Sequence, residues 1–147
     1  MKLPIARLAV CAAALLLALP AAATSWDPDG LRIEASPNGT IVDIHVDADR
    51  YEGLTLDAMS EPDARWLQID AGSTVGCGQL DADDATVCWR SAYAVFRDGI
   101  PLVEGRKARL LLHAGSIRQP TITRVITVQV QDGQLRLGSI EPLKVTP

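Results

Sequence analysis

The sequence predicts an all-β fold: an eight-stranded antiparallel β-sandwich, immunoglobulin-like, or a related small barrel. Three observations carry that expectation. Short runs rich in Val, Ile, Leu and Thr recur along the chain, apolar and polar residues alternate within them, and turn dipeptides fall between them. With one Phe and two Tyr in the whole chain, the core is expected to be aliphatic, and Trp26, Trp66 and Trp89 are the large exceptions.

The elements follow in order. Leu31 to Ala35 and Ile41 to Ala48 flank Pro37-Asn38-Gly39, where Asn and Gly tolerate the positive φ of a tight hairpin. Leu54 to Met59 and Arg65 to Ala71 come next, separated by Glu61-Pro62-Asp63. Ser60 with Asp63 three residues on also has the form of a helix start, but the alternation of Leu67, Ile69 and Ala71 with polar neighbours favours a strand. Gly72 to Asp84 reads as the longest irregular stretch. Thr86 to Arg97 is a long aromatic strand ending at Asp98-Gly99, and Ala108 to Ala114 follows Gly105. Thr121 to Gln131 and Gln134 to Ile140 are joined by Asp132-Gly133, a second two-residue hairpin signal.

Residues 1 to 23 read as a cleaved secretion signal. Lys2 and Arg7 give a positive start, Leu8 to Leu19 is an apolar run shorter than the roughly 20 residues that span a membrane, and Pro20 precedes the small residues Ala21, Ala22 and Ala23. The expected product begins at Thr24 as one domain, periplasmic or secreted, with no membrane span after cleavage. Cys11 leaves with the leader, and Cys77 and Cys88 remain. In an oxidising compartment the two are expected to pair, closing a short loop worth about 2 to 3 kcal/mol.

After the leader the chain carries 12 basic and 18 acidic side chains, which makes nucleic acid a poor partner. The distribution is uneven. Residues 24 to 86 hold 14 acids and 3 bases, whereas residues 87 to 147 hold 4 acids and 9 bases. The simplest expectation is that the halves lie against each other and part of this opposite charge meets within the molecule. The alternative is an acidic face exposed to a cation or a basic partner.

The candidate site residues are few. Asp43, His45 and Asp47, with Asp49 beyond them, alternate with Val42, Ile44, Val46 and Ala48, so period-two geometry puts the polar set on one strand face. Successive members stand about 7 Å apart, so one strand alone does not wrap them around a single ion. A divalent metal is the only cofactor chemistry they suggest, and a solvated polar face is the simpler account. Trp89 and Tyr93 share one face of their strand while Phe96 takes the other, so the first two are candidate binding residues. Asp81, Asp83 and Asp84 form an acidic cluster between the cysteines and are further candidates, though turn residues by composition. Asp27-Pro28-Asp29-Gly30 has the look of a calcium loop but lacks its later ligands, and reads as a turn.

No nucleophile elbow accompanies either histidine. His113, after three leucines, is expected to be a partly buried structural imidazole. The sequence therefore points to a non-enzymatic binding module acting on an envelope or extracellular protein, in assembly, adhesion or hydrolase inhibition, through loops or an edge strand. A periplasmic metal-binding protein and a small secreted hydrolase are the alternatives.

Overall fold

A computed structural model describes residues 26–79, 86–116 and 121–143. The strands are β1 (Leu31–Ala35), β2 (Ile41–Asp47), β3 (Gly53–Ala58), β4 (Leu67–Gly78), β5 (Val87–Phe96), β6 (Lys107–Gly115), β7 (Ile122–Gln131) and β8 (Gln134–Pro142), with a 3-10 turn at Pro62–Ala64. They form two antiparallel four-stranded sheets, β1-β2-β5-β4 and β3-β6-β7-β8. The architecture is a β-sandwich of two separate sheets. β4 loses register with β5 between Ala71 and Val75, so it pairs in two runs. Counted separately, those runs make nine strand segments where the sequence predicts eight.

Alternation builds the core. Val42, Ile44 and Val46 of β2 are completely buried and face Leu110, Leu112 and Ile126 of the other sheet, all at most 1% exposed. The core is aliphatic apart from Tyr51 and Trp66, with Phe96 packed against it. Trp66 donates its indole N–H to the Asp63 carbonyl at 2.7 Å and lies 6.2 Å from the Phe96 ring, closing the end near the 3-10 turn. That turn is all that remains of the helix start suggested by Ser60 and Asp63, because the chain must cross from the β3 sheet to the β4 sheet within a few residues.

The turns behave as their residues require. Asp132 and Gly133 take φ of 55° and 72°, the pair of left-handed conformations of a type I′ hairpin. Gly39, with φ of 69°, is buried beneath Gln134, and its carbonyl accepts from the Leu135 N–H at 2.6 Å. The first hairpin thereby docks onto the start of β8 in the opposite sheet. Asp27 caps its own turn by accepting from the N–H groups of Asp29 and Leu31, both at 2.9 Å, so this segment is a turn and not a cation loop.

Two expectations need correction. Residues 72 to 78 are not irregular: after the slip at Ala71 the ladder resumes, with Cys77 directly opposite Cys88. A disulfide joins these two residues across the paired strands. His113 is exposed, because Leu112 and Ala114 take the inward positions and parity sends the imidazole outward. The signal-peptide reading falls on residues 1–23, outside the described residues. Among the described residues no helix is long and apolar enough to cross a membrane.

Candidate functional site

The outer face of the β1-β2-β5-β4 sheet collects the side chains singled out along β2 and β5. Because β2 turns its valines and isoleucine inward, Asp43, His45 and Asp47 point outward. The antiparallel register sets Tyr93 opposite Asp43, Ser91 opposite His45 and Trp89 opposite Asp47. Two groups of candidates widely separated in sequence are thus one surface.

The neighbouring strands extend it into rows. Glu34 of β1 lies opposite Asp43, and Asp70 of β4 lies opposite Tyr93, giving the row Glu34, Asp43, Tyr93, Asp70 across all four strands. The next row is Arg32, His45, Ser91, and the third is Asp47, Trp89, Gly76. Directly opposed residues stand close enough to interact, so Glu34 against Asp43 is an unfavourable like-charge pair. Arg32 offsets part of it through an ion pair with Glu34 at 3.5 Å.

Trp89 owes its position to missing side chains. A Cβ added at Gly76 would stand 3.2 Å from the indole nitrogen, and one at Gly78 would stand 3.2 Å from the far end of the six-membered ring. The indole therefore lies across β4 on a shelf of bare backbone, one residue from the disulfide that holds the two strands in step. His45 meets it edge-on, with ring centroids 5.8 Å apart at 61°. At the other end of the platform the Tyr93 hydroxyl reaches the Asp70 carboxylate at 3.5 Å. Trp89 and Tyr93 are each partly exposed.

Burial against its neighbours lowers the His45 pKa below the ordinary 6.5; Asp43 and Glu34 pull it back up while Arg32 lowers it further. The imidazole is accordingly neutral at pH 7, a hydrogen-bonding group and not a charge. Asp47 has a local duty as well, since its carboxylate accepts from the Asp49 N–H at 2.9 Å and shapes the turn after β2. Asp49 itself sits in that turn and not on the strand, contrary to the four-residue face expected from alternation.

Among the described residues no group of three or more His, Cys, Asp or Glu side chains is gathered as a metal cage. Asp43, His45 and Asp47 are strung along one strand, opposite Tyr93, Ser91 and Trp89 on β5 and, for the first two, opposite Glu34 and Arg32 on β1. Asp81, Asp83 and Asp84 lie outside the described residues. Three shallow clefts of about 230, 320 and 340 Å³ surround the 3-10 turn, and the outer-face residues line none of them.

Sequence reasoning missed Arg32, Glu34, Asp70 and the glycine shelf. The shelf had a local signal, Gly76-Cys77-Gly78, whose period of two is that of a strand face left bare. The other three had none, because only the cross-strand register brings them to this surface. Comparison with known protein families, with characterised proteins and with solved structures finds no match for this chain.

Proposed function

We propose that this protein is an exported, non-enzymatic binding module that docks an envelope or extracellular protein on the outer face of the β1-β2-β5-β4 sheet. The observation that supports this most is the partly exposed aromatic pair on β5: Trp89 seated on Gly76 and Gly78, with Tyr93 four residues along the same face. Aromatic residues held rigid by their surroundings lose little conformational freedom on contact, and they dominate the energetics of many interfaces. Export is supported by the character of residues 1–23 and by the Cys77–Cys88 bridge, which persists in oxidising compartments.

The face is better suited to docking than the sheet edges at β1, β4 and β8. β1 is only five residues long and runs into Pro37, β4 is broken by its irregularity after Ala71, and β8 carries a bulge near Gly138 and ends at Pro142. Short edges, bulges and prolines are the devices that discourage strand addition. The metal-binding alternative, with Asp43, His45 and Asp47 as donors, has less support because these groups do not converge. A melting temperature that rises with zinc or copper and falls with chelator would restore it.

Crosslinking pull-downs from envelope extract with the exported chain test the proposal. A partner captured by the wild type should be retained at least about tenfold less by Trp89→Ala, since loss of a central aromatic anchor costs 2 kcal/mol or more in typical interfaces. Undiminished capture by a folded, disulfide-bonded Trp89→Ala variant sinks the assignment to this face.

A further inference from the structure

We infer that the outer face of the β1-β2-β5-β4 sheet also accepts a second copy of this chain through that copy's opposite face, so that molecules stack head to tail in a salt-dependent manner. The inference rests on the reading of this face as the binding surface and names one occupant for it.

The two outer faces are opposite in charge. The first presents the carboxylates Glu34, Asp43, Asp47 and Asp70 with the single guanidinium Arg32. On the other sheet, inward Leu110, Leu112, Ile126 and Val128 force Lys107, Arg109 and Arg136 outward, where register groups them: Lys107 faces Gln129, Gln129 faces Arg136, and Arg109 faces Thr127. The acids of that face, Asp57 and Glu141, lie apart in one row, on the two edge strands with Leu111 and Val125 between them. One half of the second face therefore carries Lys107, Arg109 and Arg136 with no carboxylate in its paired rows, and the Glu104 carboxylate stands at the hairpin end beyond it.

Among the described residues, this cationic half is not consumed in ion pairs. The ion pairs Arg32 with Glu34 and Arg124 with Asp29 both leave Lys107, Arg109 and Arg136 uninvolved. The expectation that part of the opposite charge of the two halves meets within the molecule is met, among the described residues, by the Asp29–Arg124 pair at 2.6 Å. The opposed carboxylates of Glu34 and Asp43 repel each other, a cost that an incoming guanidinium relieves. Trp89 and Tyr93 supply ring faces beside those carboxylates, and arginine is the cation that best combines stacking with bidentate carboxylate pairing. Arg109 and Arg136 have that chemistry.

Contact between two different patches is heterologous, and unless its rotation closes a ring it propagates as an open stack. Four strands about 4.8 Å apart, overlapping over some five residues of about 3.3 Å, cover roughly 300 to 400 Å² per molecule, below the area of a stable interface. Association is therefore weak and led by charge. The 12 basic and 18 acidic side chains after the leader give a formal net charge of −6, which opposes it at long range, so it depends on the faces meeting locally.

Sedimentation velocity of the purified exported chain reads this directly. At about 20 mM salt the weight-average mass should climb with concentration through a series of species, and at about 0.5 M salt it should return to monomer, because screening removes the attraction. Two neutralising variants, Asp43→Asn/Asp70→Asn and Arg109→Gln/Arg136→Gln, should each be monomeric alone. Mixed in equal amounts they should form a dimer and nothing larger, since one intact pair of faces remains. A wild type that stays monomeric at low salt to about 1 mM, or a salt-independent dimer, overturns the stack; this wild-type arm decides even if a variant fails to fold. A monomer that still captures an envelope protein through Trp89 overturns the stack alone, whereas a monomer whose capture ignores Trp89 removes the surface reading too.

Discussion

The two sheets of this sandwich have interchangeable inner faces and unlike outer ones. Inside, Val42, Ile44 and Val46 meet Leu110, Leu112 and Ile126, a set of aliphatic side chains in which either sheet could have supplied either half. Outside, one sheet carries carboxylates, aromatics and a strip of glycines, and the other carries lysine, arginine, threonine and glutamine. Burial selects for volume and shape and leaves little room for chemistry, whereas the solvent side of a strand tolerates almost any residue. The docking proposed above would draw its specificity from this divergence of the outer faces.

The largest effects should be shared by both sheets. Ile44→Ala in one and Leu110→Ala in the other should each lower stability by about 2 to 5 kcal/mol, with urea transitions that coincide by fluorescence and far-UV circular dichroism. Two separated transitions would show the sheets to be independent, against their common core. Next comes an effect confined to the acidic sheet: Cys77→Ser/Cys88→Ser should cost about 2 to 3 kcal/mol in urea unfolding by releasing the closed loop in the unfolded chain. The basic sheet has no counterpart among its described residues.

A smaller change should sharpen the contrast at the surface. Gly78→Val removes the shelf beneath Trp89, so indole emission should shift and partner capture should fall. Net stability should change by less than about 1 kcal/mol, because the restricted unfolded backbone offsets the lost contact. Emission identical to the wild type would mean that the glycines do not position the ring. The smallest effect concerns pH. His45 is held below the ordinary 6.5, so the unfolded chain binds its proton first, and stability should fall as pH drops from 6.5 toward the lowered folded value and level off beneath it. His45→Gln should flatten that slope in pH-dependent unfolding.

The parts that were legible in the sequence and the parts that were not divide along a physical line. Alternation in β2 assigned inside and outside correctly for Val42 through Asp47, and Asp132-Gly133 announced its hairpin, because both signals come from neighbours in sequence. Residues 72 to 78 read as irregular because Gly72, Gly76 and Gly78 dilute the strand preference of Thr74 and Val75. Their ladder is held by Cys88 and Trp89 across the pair, which local composition does not register. His113 was misplaced by judging it on three preceding leucines when only two residues of that segment, Leu110 and Leu112, face the core.

The same line separates the two levels of the site. The order of residues determined that Asp43, His45 and Asp47 share one strand face, that Trp89 and Tyr93 share another, that the core is aliphatic, and that acidic residues crowd the first half of the chain and basic ones the second. Each follows from period-two geometry or from composition. Only the tertiary structure decided that those two strand faces are one surface, and that Glu34, Asp43, Asp47 and Asp70 gather on one outer face while Lys107, Arg109 and Arg136 gather on the other. β3 crosses to the basic sheet and β5 to the acidic one, and the pairing that results is a property of long-range register, set by how whole strands bury their apolar sides together.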